Sequence, residues 1–230
     1  MTMPQTLNRG AVEKVFAIIA ARGITTTEPP PADDPVTDTI QAGLRAAEAR
    51  IPARYRDAQA AHPQVAAWVE RMVAAARKGP GGAPGIGQGS SLLIVGPTGT
   101  GKTHQAFGAV RSLLGAGVRL RWHAATAADL YAALRPRPGA DSERELMATA
   151  RCPLLILDDL GAAKGSEWTE EITYRLVDHR YAHMLPTLIT SNLPIAQLRH
   201  ALGDRVSSRL AEMTDRVMLT GPDRRRPRRG

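Results

Sequence analysis

The chain of 230 residues is long enough for one full α/β domain with a smaller extension, and its 43% share of hydrophobic residues is ordinary for a globular protein. A single cysteine, Cys152, excludes an intrachain disulfide and any zinc site built from several cysteines. No apolar run is long enough to span a membrane and no signal-peptide pattern is present, so we expect a cytoplasmic protein with no membrane partner. The net charge of +8 favours a polyanionic partner such as nucleic acid.

A short helix and a linker are predicted ahead of the main domain. Val12, Val15, Phe16 and Ile19 form an apolar stripe at helical spacing, so residues 1–24 are interpreted as an N-terminal helix that packs on the rest of the chain or on a partner protein. Four prolines and several acidic residues predict a linker over residues 25–38. Residues 39–87 are predicted to be a helical segment that leads, through a glycine-rich joint, into the main domain.

The sequence S-L-L-I-V-G-P-T-G-T-G-K-T at residues 91–103 contains the phosphate-loop pattern G-x-x-x-x-G-K-[ST] between a predicted buried strand and a predicted helix. Glycines allow close approach to a phosphate, and the loop N–H groups and the helix N-terminus favour negative charge. The lysine adds a point charge for the β- and γ-phosphates, while the threonine hydroxyl suits Mg2+. The predicted nucleotide-binding residues are Gly96, Pro97, Thr98, Gly99, Thr100, Gly101, Lys102 and Thr103, and Thr103 is also a predicted metal ligand.

Downstream of this loop, predicted strands alternate with predicted helices. Such alternation indicates a parallel sheet with helices on both faces, in which ligands bind at the carboxyl ends of the strands. The predicted strands cover residues 118–123, 154–157, 187–192 and 216–220. The predicted helices begin at Lys102, after Thr126, at a capping box of residues 142–145, after Ser166, and at residues 195 and 204, the last two separated by Gly203.

Two acidic residues, Asp158 and Asp159, follow the predicted strand at residues 154–157. We assign Asp158 to Mg2+ and Asp159 to orienting or deprotonating the attacking water. A helix cap or a surface pair is the alternative interpretation. Many ATPases with a phosphate loop carry glutamate at the position of Asp159. Because aspartate is one methylene shorter, we predict slow hydrolysis of the nucleotide, regulated by a partner.

Three further side chains are candidates for the same chemistry. Asn192 ends the next predicted strand, where its amide suits holding the water or sensing the γ-phosphate, although an ordinary cap before Leu-Pro is the alternative. Arg205 and Arg209 lie four residues apart and therefore share one face of a helix. They form either a solvated basic face or an arginine finger for a neighbouring subunit's nucleotide.

The order of these motifs resembles the AAA+ ATPases of the DnaC/IstB group. The resemblance rests on residues 96–103, on I-L-D-D-L-G at residues 156–161, on T-S-N at residues 190–192 and on G-D-R-V-S-S-R-L at residues 203–210, and it covers about residues 51–226. It implies an AAA+ P-loop fold with a five-stranded parallel sheet flanked by helices and a small helical N-terminal extension. The expected core is residues 88–221, followed by a basic tail at residues 222–230.

The same resemblance implies site roles and partners. ATP is the expected nucleotide, Asn192 matches sensor 1, Arg209 matches the arginine finger with Arg205 beside it, and one of Arg224, Arg225 and Arg226 is a candidate for sensor 2. An ATP-dependent homo-oligomer is expected.

The segment I-P-A-R-Y-R at residues 51–56 and the helical insert at residues 126–150 are similar to those of DnaC-type helicase loaders. This likeness implies a protein that loads the hexameric replicative helicase onto single-stranded DNA, with Arg135, Arg137 and Arg144 of the insert contacting the DNA phosphates. An IstB-type transposition helper ATPase, which would bind duplex DNA and a transposase, is the alternative. A monomeric small-molecule kinase with the same phosphate loop is a third interpretation.

Overall fold

The computed structural model describes residues 35–78, 82–162 and 165–223. The predicted helix at residues 1–24, the linker up to residue 34 and the tail arginines Arg224, Arg225 and Arg226 lie outside the described residues. The helices are α1 (Pro35–Ala49), α2 (Pro63–Ala75), α3 (Lys102–Gly115), α4 (Ala127–Leu134), α5 (Ser142–Ala150), α6 (Glu167–Ala182) and α7 (Ile195–Met213), and a 3-10 turn covers Ala53–Tyr55. The strands are β1 (Arg77–Lys78), β2 (Pro84–Gly85), β3 (Ser91–Val95), β4 (Trp122–Thr126), β5 (Leu154–Asp158), β6 (Thr187–Ser191) and β7 (Thr214–Met218).

Five of these strands form the predicted parallel sheet, in the order β4-β5-β6-β3-β7. Leu157 of β5 pairs with Ile189 of β6, and Val95 of β3 pairs with Ser191 of β6. The carboxyl ends of the three central strands therefore lie side by side, as expected for a parallel sheet whose strands run in register. β1 and β2 form a separate two-stranded antiparallel pair just before β3.

Helices cover both faces of the sheet and divide the apolar core into two clusters. Along β3, Leu92 and Ile94 point into the cluster with α2 and α3, whereas Leu93 and Val95 point into the cluster with α4, α5, α6 and α7. This division follows from the alternation of side chains along a strand. Both faces of β3 and β5 are buried, which explains why these two strands are mostly apolar, whereas the equally buried β6 carries three hydroxyl side chains, Thr187, Thr190 and Ser191.

The segment before the phosphate loop packs directly on α3. The indole nitrogen of Trp68 in α2 donates to the carbonyl of Ser90 at 2.9 Å, just ahead of β3. A Cβ on Gly108 of α3 would lie 2.3 Å from the carbonyl carbon of Gln59, so only glycine allows this close contact. The ring of Tyr55 stacks on Phe107 with 4.6 Å between centroids. The helical segment is therefore held against the helix that follows the phosphate loop.

Several element boundaries differ from the predictions. The strand predicted at residues 118–123 is β4 at Trp122–Thr126, because residue 119 forms an isolated bridge with Gly85 and the ladder with β5 begins only at Trp122. The predicted capping box at residues 142–145 is wrong: Asp141 is the N-cap and accepts from the Arg144 N–H at 2.9 Å. The Asp141 carboxylate can accept hydrogen bonds from first-turn N–H groups that have no partner within the helix. Its negative charge also interacts favourably with the positive end of the helix dipole.

Two other boundaries shift by a few residues. α1 begins at Pro35, within the predicted linker, and a proline at this first position is compatible with the helix because its missing N–H would have no partner there. β7 begins at Thr214, directly at the end of α7, instead of at residue 216.

Other local predictions are confirmed. α6 begins directly after Ser166, as predicted, and Ser166 is its N-cap and forms a capping box with Thr169. Gly203 has φ 77° and ψ 164°, so α7 consists of two helical pieces that meet at the predicted break. Among the described residues, no helix has the length and apolarity that crossing a membrane requires.

Candidate nucleotide-binding site

The phosphate loop connects β3 to α3 in the predicted way. Gly101 is the N-cap of α3 with φ 97°, a left-handed conformation that glycine adopts without strain. The Lys102 side chain is buried at the start of α3, and its ammonium group donates to the carbonyl oxygens of Gly96 at 2.8 Å and Pro97 at 2.9 Å. It also donates to Oδ1 of Asn192 at 2.5 Å. The lysine is thus held by the loop itself and by the end of β6.

Asp158 receives two hydroxyl hydrogen bonds. Thr103 Oγ1 lies 2.9 Å from Asp158 Oδ1, and Thr190 Oγ1 donates to the same oxygen at 2.5 Å. Thr103 is in the first turn of α3, Asp158 ends β5 and Thr190 is in β6. The two predicted metal ligands, Thr103 and Asp158, therefore lie in contact although 55 residues separate them in the sequence.

Asp159 is held in an unusual backbone conformation. Its φ is 58°, which is uncommon for a residue other than glycine but accessible to aspartate. Its N–H donates to Thr190 Oγ1 at 2.9 Å, and the amide nitrogen of Asn192 donates to its carboxylate. Strain of this kind persists where surrounding contacts enforce it, commonly at functional sites. The left-handed conformation of Asp159 turns the backbone away from the direction of β5, and the Asp159 carboxylate thereby contacts Asn192.

Asn192 connects the two halves of the site. Its carbonyl oxygen accepts from Lys102, while its amide nitrogen donates to Asp159. A single amide therefore positions both the cation and the carboxylate that the sequence predicts to act on the nucleotide. This arrangement depends on the register, in which Val95 pairs with Ser191 and Asn192 is the next residue.

These residues line a cleft of about 600 Å³, a size suited to a small-molecule ligand such as a nucleotide. Five lining residues were not among the predicted site residues, and they come from the 3-10 turn, from α3 and from the ends of β4 and β6. They are Arg54, Tyr55, His104, Thr126 and Thr190. The sequence offers only a weak signal for Thr190, a hydroxyl residue two positions before Asn192 in a strand that also contains Thr187 and Ser191.

The donors around the cleft fit a nucleotide with Mg2+. The Thr103 hydroxyl and the Asp158 carboxylate are hard oxygen ligands of the kind that Mg2+ prefers. The Lys102 ammonium and the N–H groups at the start of α3 suit phosphate oxygens. The left-handed turn at Gly101 and the buried Lys102 are the local features that bring these donors together.

Arg205 and Arg209 do not line this cleft. Arg209 donates to the Asp178 carboxylate at 2.5 Å and to the Tyr174 hydroxyl at 3.2 Å, both on α6. Arg205 lies over the Tyr174 ring at 5.8 Å from its centroid. The hydrogen bond from Arg209 to Asp178 raises the pKa of Arg209, so the guanidinium remains charged. The structure brings the two arginines together on one helix face, as predicted, but away from the nucleotide cleft of the same chain.

The three predicted DNA contacts also lie outside the cleft. Arg135, Arg137 and Arg144 are exposed, in the loop between α4 and α5 and in the first turn of α5. The Arg135 guanidinium lies 5.5 Å from the centroid of the Trp168 ring. Their exposure leaves all three side chains accessible to a large anionic partner.

Comparison with known proteins places this geometry in a family. Residues 86–220 match the family described as IstB-like ATP binding protein. The chain is 28% identical to the replicative helicase loader DnaC of Escherichia coli (strain K12) over 124 residues, which is 53% of this chain and 50% of that protein. It is also 28% identical to an ATP-binding protein of insertion sequence IS5376 from Geobacillus stearothermophilus over 134 residues, 58% of this chain and 51% of that protein.

Structural comparison gives the same result. The crystal structure of the DnaC helicase loader matches with a TM-score of 0.61 and 26% identity, over 74% of this chain and 100% of that chain. The chain spans about half the length of the curated relatives that it matches. The parallel sheet, the phosphate loop and the match over residues 86–220 together show that this chain belongs to the IstB-like ATP binding protein family of AAA+ ATPases.

Proposed function

We propose that this protein is an ATP-dependent loader of the replicative helicase onto single-stranded DNA. The observation that carries the proposal is the convergence of Lys102, Asn192 and Asp159 at the carboxyl ends of β3, β5 and β6. A nucleotide site with these groups can bind ATP and cleave it. The likeness to the DnaC loader supports helicase loading as the process that ATP cleavage would control. ATP binding and hydrolysis would then govern assembly and release.

The chain's own residues divide the work of hydrolysis. Lys102 and the loop N–H groups bind and orient the phosphates. Thr103 and Asp158 would hold Mg2+, which would supply positive charge that offsets the negative charge of the phosphates. Asp159 orients the attacking water or accepts its proton, and Asn192 holds the Asp159 carboxylate in place. Tyr55, packed on Phe107, and Arg54 offer an aromatic ring and a cation at the cleft wall for the remainder of the nucleotide.

The segment at residues 51–56 favours a loader over a transposition helper. This segment is similar to the corresponding one in DnaC-type loaders, its 3-10 turn forms part of the cleft wall, and the DnaC loader structure matches 74% of this chain. The second candidate is an IstB-type transposition helper ATPase. The 28% identity to the insertion-sequence protein over 58% of this chain supports that candidate.

Partner capture separates these two functions. We expect the full chain to co-purify with the hexameric replicative helicase of its host, with a yield that depends on ATP. Native mass spectrometry of the captured complex reads both the partner and the number of copies bound. Capture of a transposase without helicase would support the transposition helper and would rule out the loader.

Arg209→Ala is expected to lower ATP turnover by a factor of about 10³ while ATP affinity stays within about twofold. The reason is that Arg209 does not line the cleft of its own chain, so we propose that it serves the nucleotide of a neighbouring copy. Turnover should rise steeply with protein concentration in the wild type. The measurement is steady-state ATPase activity over a range of protein concentrations, together with calorimetric ATP binding.

Arg216→Ala is the matched control, because Arg216 is an exposed arginine on β7. A mixture of Arg209→Ala with Lys102→Ala should regain part of the activity, since each variant supplies the half of the shared site that the other lacks. Unchanged activity of Arg209→Ala at every concentration would contradict a shared site.

A further inference from the structure

The segment that follows β7 returns to the phosphate loop. The Leu219 N–H donates to the carbonyl of Val95 at 2.8 Å. A Cβ on Gly96 would lie 2.3 Å from the carbonyl oxygen of Leu219, so the two backbones are in direct contact at the first glycine of the loop. The first residue of the segment at residues 219–223 is therefore in contact with the start of the phosphate loop.

Four residues later, Asp223 reaches the loop again. A Cβ on Gly99 would lie 1.8 Å from Oδ1 of Asp223 and 2.2 Å from its Cγ. The carboxyl group thus occupies the space beside Gly99 that any other residue would fill with its own side chain. Gly99 has φ 84°, a conformation for which a side chain would be strained as well. The half-buried Asp223 side chain and the glycine are complementary in shape.

The position of this carboxylate is electrostatically significant. Gly99 also lines the cleft that holds Lys102 and Thr103, so an anion bound to the loop is brought close to Asp223. Two negative groups a few ångströms apart repel each other strongly where water is partly excluded. The loop that favours phosphate therefore already contacts a carboxylate from the same chain.

We propose that Asp223 sets the nucleotide affinity of this site, because its carboxylate occupies the phosphate loop beside Gly99 and a bound triphosphate displaces it. This inference rests on the proposed binding of ATP at the loop. Coupling of this kind is reciprocal: if Asp223 weakens ATP binding, ATP weakens the contact of residues 219–223 with the loop by the same factor. Nucleotide binding would thereby change the position of residues 219–223 relative to the loop. Asp223 is followed directly by three arginines in the sequence, so these would be affected as well.

Asp223→Asn tests the proposal because it removes the charge and keeps the shape. We expect the Kd for ATP, measured by calorimetry on the full chain, to fall at least about fivefold. The gain should shrink at high salt, since screening weakens the repulsion that the substitution removes. Asp215→Asn is the matched control: Asp215 lies on β7 and pairs with Arg71 at 2.5 Å, away from the loop, and its substitution should leave the Kd unchanged.

Hydrogen exchange of the wild-type protein provides a test that needs no variant. Added ATP should speed the exchange of amides in residues 219–223. An unchanged or weaker affinity of Asp223→Asn, or greater protection of these amides with ATP, would overturn the inference. If the wild type bound no ATP but Asp223→Asn did, the inference would be supported. If neither bound ATP, the proposed function itself would fail, and the inference with it.

Discussion

Lys102→Ala is expected to reduce ATP turnover at least about 100-fold and to weaken ATP binding as well. Lys102 is the only cationic side chain among the described residues of the phosphate loop, residues 96–103. Gly96, Pro97 and Asn192 hold its ammonium group in position, and the substitution removes this charge. It also removes one of the two partners of the Asn192 amide, so the hold on Asp159 is weakened. Steady-state ATPase kinetics and calorimetric titration with ATP measure the two effects separately.

Lys78→Ala is the matched control. Lys78 is an exposed lysine of the short strand β1, outside the residues that line the cleft. We expect its substitution to leave both turnover and affinity unchanged. Wild-type turnover in Lys102→Ala would contradict the assignment of the nucleotide site to this loop.

Arg180→Leu is expected to lower the free energy of unfolding by about 3 kcal/mol. Arg180 is only 1% exposed and donates four hydrogen bonds, to Thr187 Oγ1 and to the carbonyls of Ala150, Cys152 and Pro186. These groups lie where β5 and β6 begin. Leucine fills part of the volume but leaves three carbonyl oxygens without this donor. Burial lowers the pKa of Arg180 to about 10, so the side chain is still protonated at neutral pH.

Chemical denaturation monitored by circular dichroism measures this loss. The control is Arg175→Leu on the same helix, where the arginine pairs with Glu143 at the surface with side-chain exposures of 38% and 61%. A surface pair of this kind contributes about 0–1 kcal/mol, so the control should unfold almost as the wild type does. Equal stability of the two variants would show that the Arg180 network does not hold the strand ends together. Because Arg180 lies at the opposite end of the sheet from the cleft, the folded variant should bind ATP normally.

The nucleotide loop, the carboxylates at the end of β5 and the parallel sheet could all be predicted from the sequence. The reason is that each depends on a local pattern: glycine spacing before a lysine, an apolar run before two acids, and the alternation of strands with helices. The break at Gly203 and the cap at Ser166 are local in the same sense. The start of β4 was misplaced because its decisive partner is distant in the sequence: it depends on where β5 runs. The cap of α5 was misplaced by one residue although its decisive group, Asp141, is local.

The sequence by itself determined which groups can bind a triphosphate and which family pattern they follow. Only the tertiary structure decided how those groups meet. Strand register places Asn192 between Lys102 and Asp159, and the pairing of β5 with β6 brings Thr190 to Asp158. The packing of the helical segment on α3 brings Tyr55 to the cleft, and the course of the chain after β7 brings Asp223 to Gly99. No local pattern contains these contacts, because each joins residues that are neighbours only after the sheet has formed.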